Sequence, residues 1–253
     1  MQPTPLSETC PDQAALWLWP GQALYLGPSL ELDVHSGSVS CLVVGLDAEF
    51  TVRLEDGSRQ VARTALIPAR VKHRIVAHGD RMAFCYLDPA STRERACRRM
   101  MSGGQHSNQF KLLRLAEKLD GGASVADVRH WLDLAGPDDR AEIGDTRIAQ
   151  ATRRLSENAG QPLSAGILAA EVGLSVSAFL RLFRAQTGTT FRRYRLWTRM
   201  LRMAVLLETW PDLSTAAAEA GFASPSHFSS AFHAMFGLQP SRLLGQDVTI
   251  VAA

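Results

Sequence analysis

Two stretches of the chain, AAEVGLSVSAFLRLFRAQTG (169–188) and AAEAGFASPSHFSSAFHAMFG (217–237), repeat one another position by position. The positions of the first copy that recur 48 or 49 residues later include Ala169, Ala170, Glu171, Gly173, Ser175, Phe179, Phe183 and Gly188. Self-similarity of this kind indicates a duplicated structural unit. The repeat therefore decides how the C-terminal half of the chain folds.

Each copy has the pattern of a helix-turn-helix. Gly173 suits the tight turn, since a left-handed backbone is cheap only for glycine. Ser175 suits the N-cap of the next helix. Phe179 and Phe183 are spaced to anchor that helix on a core, and Gly188 ends it. Two such units on one chain suit two major-groove faces about 34 Å apart.

The basic charge is concentrated near the first copy. The formal net charge is only +2, with 27 basic and 25 acidic residues. Residues 1–140 carry 16 basic and 17 acidic side chains, and residues 141–253 carry 11 and 8. The segment from Arg181 to Arg202 contains seven arginines and no acid. Such a stripe attracts a polyanion, although a solvated helical surface has the same composition.

The N-terminal part is typical of a β domain. Eight short apolar or alternating runs lie within residues 14–87, one of them SLELDVH at 29–35, and Asp56-Gly57 is a hairpin signal. This pattern predicts a β-barrel or sandwich. Helical periodicity begins at about residue 92, and Gly136-Pro137-Asp138-Asp139 is typical of a domain linker. Everything beyond the linker is predicted to be helical.

Composition excludes several classes of protein. No apolar run approaches the roughly 18 residues that a membrane helix needs, and the N-terminus lacks the pattern of a signal peptide. The four cysteines, Cys10, Cys41, Cys85 and Cys97, form no C-x-x-C pair, which favours reduced thiols in a cytoplasmic protein. Phosphate-binding loops and the G-x-S-x-G elbow are missing, so the residues give no support to the common enzyme classes.

From about Asp145 to Leu244 the chain resembles the AraC/XylS family of bacterial transcription regulators. The segment GFASPSHFSSAFHAMFGLQPSRLL (221–244) carries the most diagnostic part of this resemblance. The resemblance implies an α+β protein of two domains. Its parts are a cupin-like β-barrel (1–90) for effector binding, a helical connector (91–136), and an all-α DNA-binding domain (140–245) with two helix-turn-helix units joined by a long helix.

The expected DNA-contacting residues differ between the two units. Arg181 is the best candidate for base readout, since a guanidinium bonds guanine O6 and N7 in a fork. Arg192 and Arg193 suit phosphates, and Ser230 stands where the family often carries a long polar side chain. The predicted DNA-binding residues are Ser177, Ala178, Arg181, Arg184, Thr190, Arg192, Arg193, Ser226, His227 and Ser230. This predicts an asymmetric reader, with base specificity mainly from the first unit.

The β domain offers candidates for an effector pocket rather than a metal site. A metal-binding cupin needs about three well-placed ligands, whereas His35 is followed by Ser36-Gly37 and not by a second histidine. No metal and no cofactor are therefore expected. The residues expected to line the pocket are Trp17, Trp19, His35, His73 and Tyr86; on strands, aromatic residues also serve as core.

The implied partners are double-stranded promoter DNA, RNA polymerase, a small-molecule effector and a second copy of the chain, with no membrane. Two apolar stripes, within NQFKLLRLAEKL (108–119) and VADVRHWLDL (125–134), suit either packing on the β domain or a dimer face. Two other functions stay open at this stage. One is a protein-interaction regulator with weak DNA reading, and the other is a cupin-type enzyme with a helical appendage.

Overall fold

The fold is given by a computed structural model that describes residues 14–119, 123–138, 144–209, 212–245 and 248–252. Cys10 and the Gly121-Gly122 pair lie outside the described residues. The three described cysteines, Cys41, Cys85 and Cys97, are buried free thiols. The α+β class with two domains, predicted from the sequence, is confirmed.

The N-terminal domain is built from two β-sheets. Its strands are β1 Ala14–Trp19, β2 Gln22–Pro28, β3 Ser40–Gly45, β4 Phe50–Leu54, β5 Arg59–Ala62, β6 Thr64–Ile67, β7 His73–Ala77 and β8 Arg81–Leu87. The smaller sheet has the order β5-β4-β7. In the larger sheet β1, β2, β8, β3 and β6 are neighbours in that order, and each of these pairs is antiparallel.

Both faces of the larger sheet are covered. On β3, Val43 packs into the core between the two sheets, together with Phe50 and Ile75 of the smaller sheet. The alternate residues Leu42 and Val44 face the opposite side. A strand buried on both faces reads as a continuous apolar run, which accounts for the sequence SCLVVG.

The predicted run at 29–35 is not a strand. Only His35 forms an isolated β-bridge, with His73. The reason is that the backbone of this segment is used elsewhere, since Asp33 N–H donates to the Gly237 carbonyl oxygen at 2.7 Å. The segment therefore joins the β domain to the helical domain.

The connector helices cover the outer face of the larger sheet. They are α1 Thr92–Met100, α2 Gln109–Ala116 and α3 Val125–Ala135, and a short hairpin of β9 Met101–Ser102 and β10 Gln105–His106 follows α1. Leu112 and Trp131 are fully buried against the sheet, and the Trp131 indole N–H donates to Leu112 O at 3.0 Å. The apolar stripes thus pack on the β domain, although Phe110 remains 74% exposed.

The C-terminal domain contains the duplicated unit and a long bridging helix. Its helices are α4 Thr146–Glu157, α5 Ala165–Glu171, α6 Val176–Thr187, α7 Phe191–Thr209, α8 Leu213–Glu219, α9 Pro225–Phe236 and α10 Pro240–Leu244. The first unit is α5–α6 and the second is α8–α9. Among the described helices, no single helix is long and apolar enough to cross a membrane. The α5–α6 pair meets both criteria only when the two helices are taken together, and this pair is bent by 91°.

The prediction that everything beyond the linker is helical is wrong for residues 248–252, which form a strand. β11 (Val248–Ala252) pairs in parallel with β1, Leu16 opposite Ile250, and forms an edge of the larger sheet. The β-branched run VTIV was the available signal, since such residues pack well on a pleated surface. β11 ties the end of the helical domain back to the β domain.

The two domains share a continuous junction. Leu18 and Ala23 of the sheet pack in one core with Trp197 and Met200 of α7. The Trp197 indole N–H donates to Gly21 O at 3.2 Å. This contact surface places α7 between the β domain and both helix-turn-helix units.

Candidate DNA-binding surface

The first unit has the geometry expected of a helix-turn-helix. The axes of α5 and α6 differ by 91°, and Gly173 in the turn has φ +67°. Ser175 caps α6, since its side chain accepts a hydrogen bond from the Ala178 N–H at 3.3 Å. Gly188 ends the helix in the left-handed conformation. The turn, the N-cap and the end of α6 thus lie at the residues that the sequence predicts for them.

Helix α6 has one buried and one exposed face. Phe179 and Phe183 are fully buried, and Phe183 packs edge-on against Tyr194 of α7 with ring centroids 5.4 Å apart. On the exposed side lie Ser177, Arg181 and Arg184, with Ala178 half-buried beside them. The exposed face therefore presents two arginines and small side chains together, and α6 contains no acid.

The start of α7 is close to this surface. Thr190 caps the helix, with its hydroxyl oxygen 3.3 Å from the Arg193 N–H, and Arg192 is exposed. The Arg195 guanidinium lies 5.7 Å from the centre of the Phe191 ring. Backbone N–H groups at a helix start, together with Arg192, suit a phosphate group.

Arg193 is held by the β domain instead. Its guanidinium donates to the carbonyl oxygens of Ser36 (3.0 Å) and Gly37 (3.1 Å) and to the Ser36 hydroxyl (2.9 Å). Burial, and then the neighbouring Arg70, lower the pKa of Arg193 below its ordinary value. In this arrangement of the domains Arg193 donates its hydrogen bonds to partners within the protein, more than 150 residues away in the chain, and no local sequence pattern predicts such contacts.

The second unit repeats the first with different surface chemistry. Gly221 has φ +85°, and Ser224 caps α9 by accepting from the His227 N–H at 3.1 Å. Ser226, His227 and Ser230 are exposed, as expected. His227 also contacts its own turn, because its Nδ1 lies 3.3 Å from the Ala223 N–H and its ring is edge-on to Phe222.

The second unit is also anchored to the β domain by polar contacts. His233 Nε2 lies 3.0 Å from the Asp33 carboxylate, and the Ser36 N–H donates to Ala234 O at 3.3 Å. Arg242 of α10 reaches Glu31 at 3.3 Å. By the repeat offset, His233 and Ser230 occupy the positions of Arg184 and Arg181 in the first unit. Arg184 therefore faces outward in the first unit, whereas its counterpart His233 contacts the β domain in the second.

Comparison with known proteins identifies the helical domain. The model of a family described as a helix-turn-helix domain matches residues 168–246. The probable transcriptional regulator LumQ of Photobacterium leiognathi is 33% identical over 89 residues, which are 35% of this chain and 36% of LumQ. This similarity confirms the predicted resemblance of the helical domain to AraC/XylS regulators. The match to LumQ thus spans only about a third of that regulator's length.

Solved structures extend the similarity to both domains of this chain. ToxT from Vibrio cholerae O395 is similar with a TM-score of 0.59 at 10% identity, over 89% of this chain and 98% of that one. ToxT with a bound unsaturated fatty acid has a TM-score of 0.57 at 10% identity, over 90% and 96%. At such identity the similarity concerns the fold, and it includes the β domain.

The junction between the two domains contains adjoining apolar cavities. A cavity of about 80 Å³ lies between the sheet and helices α7, α9 and α10, and shares Leu18 and Leu201 with a larger one of about 350 Å³. It shares Leu16, Met200 and Phe232 with a third cavity of about 40 Å³, which Ile250 of β11 also lines. The walls of all three come from both domains.

The residues predicted for an effector pocket do not meet in one place. Trp17 is buried in the core under the connector helices. Trp19 lines the larger cavity, and its indole nitrogen has no hydrogen-bond partner among the described residues. Tyr86 lines the 80 Å³ cavity, 5.2 Å from the Phe236 ring. Strand alternation separates Trp17 from Tyr86, because their side chains point to opposite faces of the sheet, whereas Trp19 shares a face with Trp17 and packs against the same core.

His35 and His73 form a pair beside Gly237 and line a small cavity of about 10 Å³ together with Tyr86. Their ring centroids are 4.4 Å apart, and burial, followed by the neighbouring His73, lowers the pKa of His35 to about 4. Within the described residues no group of three His, Cys, Asp or Glu side chains has the geometry to hold a metal ion. Both rings are therefore neutral at physiological pH and pack as part of the domain junction.

Proposed function

We propose that this chain is a sequence-specific, DNA-binding transcription regulator in which the first unit supplies base specificity. The observation that carries this proposal is the exposed face of α6, where Arg181 and Arg184 stand beside small side chains on a helix capped and turned as in a DNA-reading unit. Arg181 bonds a guanine edge in the major groove. Arg184, Arg192 and the Thr190 cap bind phosphates and fix the register.

The second unit positions the protein on the DNA. Ser226, His227 and Ser230 are too short to replace Arg181 as forked donors, and they suit phosphate or water-mediated contacts. The polar contacts of α9 and α10 with the β domain hold this unit in place. The protein then places two reading helices on neighbouring turns of promoter DNA, with one of them carrying most of the discrimination.

The junction cavities suit a small apolar effector. ToxT, which shares the fold, is described with an unsaturated fatty acid and with a naphthalenyl butenoic acid. Ligand pockets usually exceed roughly 300 Å³, so the 80 Å³ cavity admits a ligand only if its walls separate. Because those walls belong to different domains, an effector bound there prefers one domain arrangement and shifts the population toward it.

Arg193 links the two activities in this proposal. In the described arrangement it bonds Ser36 and Gly37 of the β domain. When the domains move apart, its guanidinium becomes free for the phosphate contact that the sequence suggests. Effector binding at the junction would thereby change the number of phosphate contacts as well as the spacing of the units.

The remaining assignments are part of the same proposal. They are a regulatory domain at 1–90, a connector at 91–136 and a DNA-binding domain at 140–245. The protein is a regulator and not an enzyme, and it acts in the cytoplasm, where bacterial promoters lie. RNA polymerase and a second copy of the chain are its proposed protein partners.

The test is selection from a randomised DNA library, followed by footprinting with the wild type and Arg181→Ala. The proposal expects protection over two adjacent major grooves and relaxed base preference in the variant. Binding that shows no sequence preference and is unchanged in the variant would overturn it. An unsaturated fatty acid should raise the melting temperature of the full chain, since a ligand that binds only the folded state stabilises it.

A further inference from the structure

Helix α6 carries two aliphatic side chains in water. Val176 is 47% exposed and Leu180 is 40% exposed. They stand four residues apart and so lie on one face of the helix. Neither Val176 nor Leu180 is among the described residues that form the apolar core of this unit or pack against it.

The pair is not required by the fold. The second unit keeps the buried phenylalanines of the repeat, but it has Pro225 and Ser229 at the positions that correspond to Val176 and Leu180. A helix of the same geometry thus forms without an exposed aliphatic row. Scattered exposed apolar residues are ordinary, but this row has a defined direction and occurs in the arginine-rich unit alone.

The row runs beside the proposed reading residues. Leu180 directly precedes Arg181, and Arg184 follows one turn later on the same face as Leu180. The N-terminal half of a recognition helix enters the major groove, and Val176 is the first residue of α6. Arg184, which continues the row, and Arg181, which lies beside it, make nucleic acid its electrostatically matched occupant.

We propose that Val176 and Leu180 read thymine methyl groups next to the base bonded by Arg181. In the major groove thymine is the base that presents a C5-methyl group, and apolar side chains recognise it by contact. This inference rests on the proposed function and names its sequence preference: thymine adjoins the base recognised by Arg181. A short serine at position 229 gives the second unit no comparable preference.

The experiment uses the full chain and a duplex selected from a randomised library. Each thymine in that duplex is replaced singly by deoxyuridine, which removes the methyl group alone, and binding is followed by fluorescence anisotropy. One or two replacements should weaken wild-type binding about fourfold, the equivalent of one methyl group withdrawn from an apolar contact. Leu180→Ala should bind the thymine duplex about fourfold or more weakly and should lose the sensitivity to uracil.

The matched control is Ile167→Ala, which removes an aliphatic side chain of similar exposure (46%) from α5. It should keep the full uracil sensitivity. Equal melting temperatures for the wild type and Leu180→Ala would show that the fold is intact, as expected for alanine on an exposed helix face.

Three results would overturn the inference. One is a selected duplex in which no uracil replacement changes affinity, and another is a uracil penalty that persists in Leu180→Ala. The third is unchanged DNA binding by Leu180→Ala with weakened transcription in a purified system, which would assign the row to a protein partner. Failure to select any duplex at all would instead overturn the proposed function, so the two failures are distinguishable.

Discussion

The two helix-turn-helix units share a backbone plan and differ in what their outer residues touch. Arg184 of the first unit faces outward, whereas its counterpart His233 lies 3.0 Å from Asp33 of the β domain. Arg181 corresponds to Ser230. At these equivalent positions the first unit thus has an outward-facing arginine, and the second has a histidine that contacts the β domain. Surface contacts can therefore diverge between copies that keep the turn glycine, the serine cap and the core phenylalanines.

The largest expected effect concerns the attachment of the second unit through β11. A chain that ends at Gly245 loses the parallel pairing with β1 and the half-buried Val248, Ile250 and Val251. We expect a loss of about 2–4 kcal/mol of stability and a melting temperature lower by on the order of 5–10 °C.

Hydrogen exchange would show where the truncation acts. Protection should fall in α8–α9 and remain in α5–α6. Thr249→Ala, which keeps the strand backbone, serves as the control and should change little. Equal loosening of both units would mean that β11 stabilises the whole chain rather than the second unit.

The start of the bridging helix α7, on which the first unit packs, has a pH-dependent attachment to the β domain. The Tyr194 hydroxyl donates to the Asp88 carboxylate at 2.8 Å, and burial raises the pKa of Asp88 from 3.8 to about 6. Between these values the folded protein holds a proton that the unfolded chain has released. The free energy of unfolding should therefore fall by about 3 kcal/mol as the pH rises from about 4 to 6, and level off above that.

Denaturant titrations at several pH values measure this slope. Asp88→Asn retains the acceptor and the shape of the side chain, so it should flatten the profile in that interval. A variant profile as steep as that of the wild type would assign the slope to other groups.

Much of the fold could be predicted from the sequence, because the evidence for it was local. Glycines at left-handed turns, serine caps and phenylalanines at helical spacing act within one unit, and the structure places all of them as expected. The strand at Val248–Ala252 was missed because its partner β1 lies more than two hundred residues away in the chain. The role of Arg193 was out of reach for the same reason, since its partners Ser36 and Gly37 belong to the other domain.

The candidate surface was predictable in part. Exposure of Ser177, Arg181 and Arg184 follows from helical periodicity. The effector pocket was not, because the residues that line a cavity depend on packing: Trp17 and Trp19 pack in the same core, yet of the two only Trp19 lines the larger cavity. The cavities arise between the two domains. The placement of one domain relative to the other is not encoded in any single stretch of the sequence.

A smaller difference is expected between substitutions at the equivalent positions 184 and 233. Arg184→Ala should weaken binding uniformly across DNA sequences and reduce the slope of log affinity against log salt by about 1, because one phosphate contact is lost. His233→Ala should leave that slope unchanged, since its partner is Asp33. Salt titrations of both variants on the selected duplex give the comparison, and equal changes of slope would contradict it.

The central claim is that discrimination between bases comes mainly from the first unit. It is tested most directly by measuring affinities for the selected duplex and for its single-base variants with the wild type, Arg181→Ala and His227→Ala. Arg181→Ala should lose about 1–3 kcal/mol of discrimination at one base position. His227→Ala should weaken binding to all duplexes alike and keep the preferences. Equal loss of discrimination in the two variants would contradict the asymmetric reader.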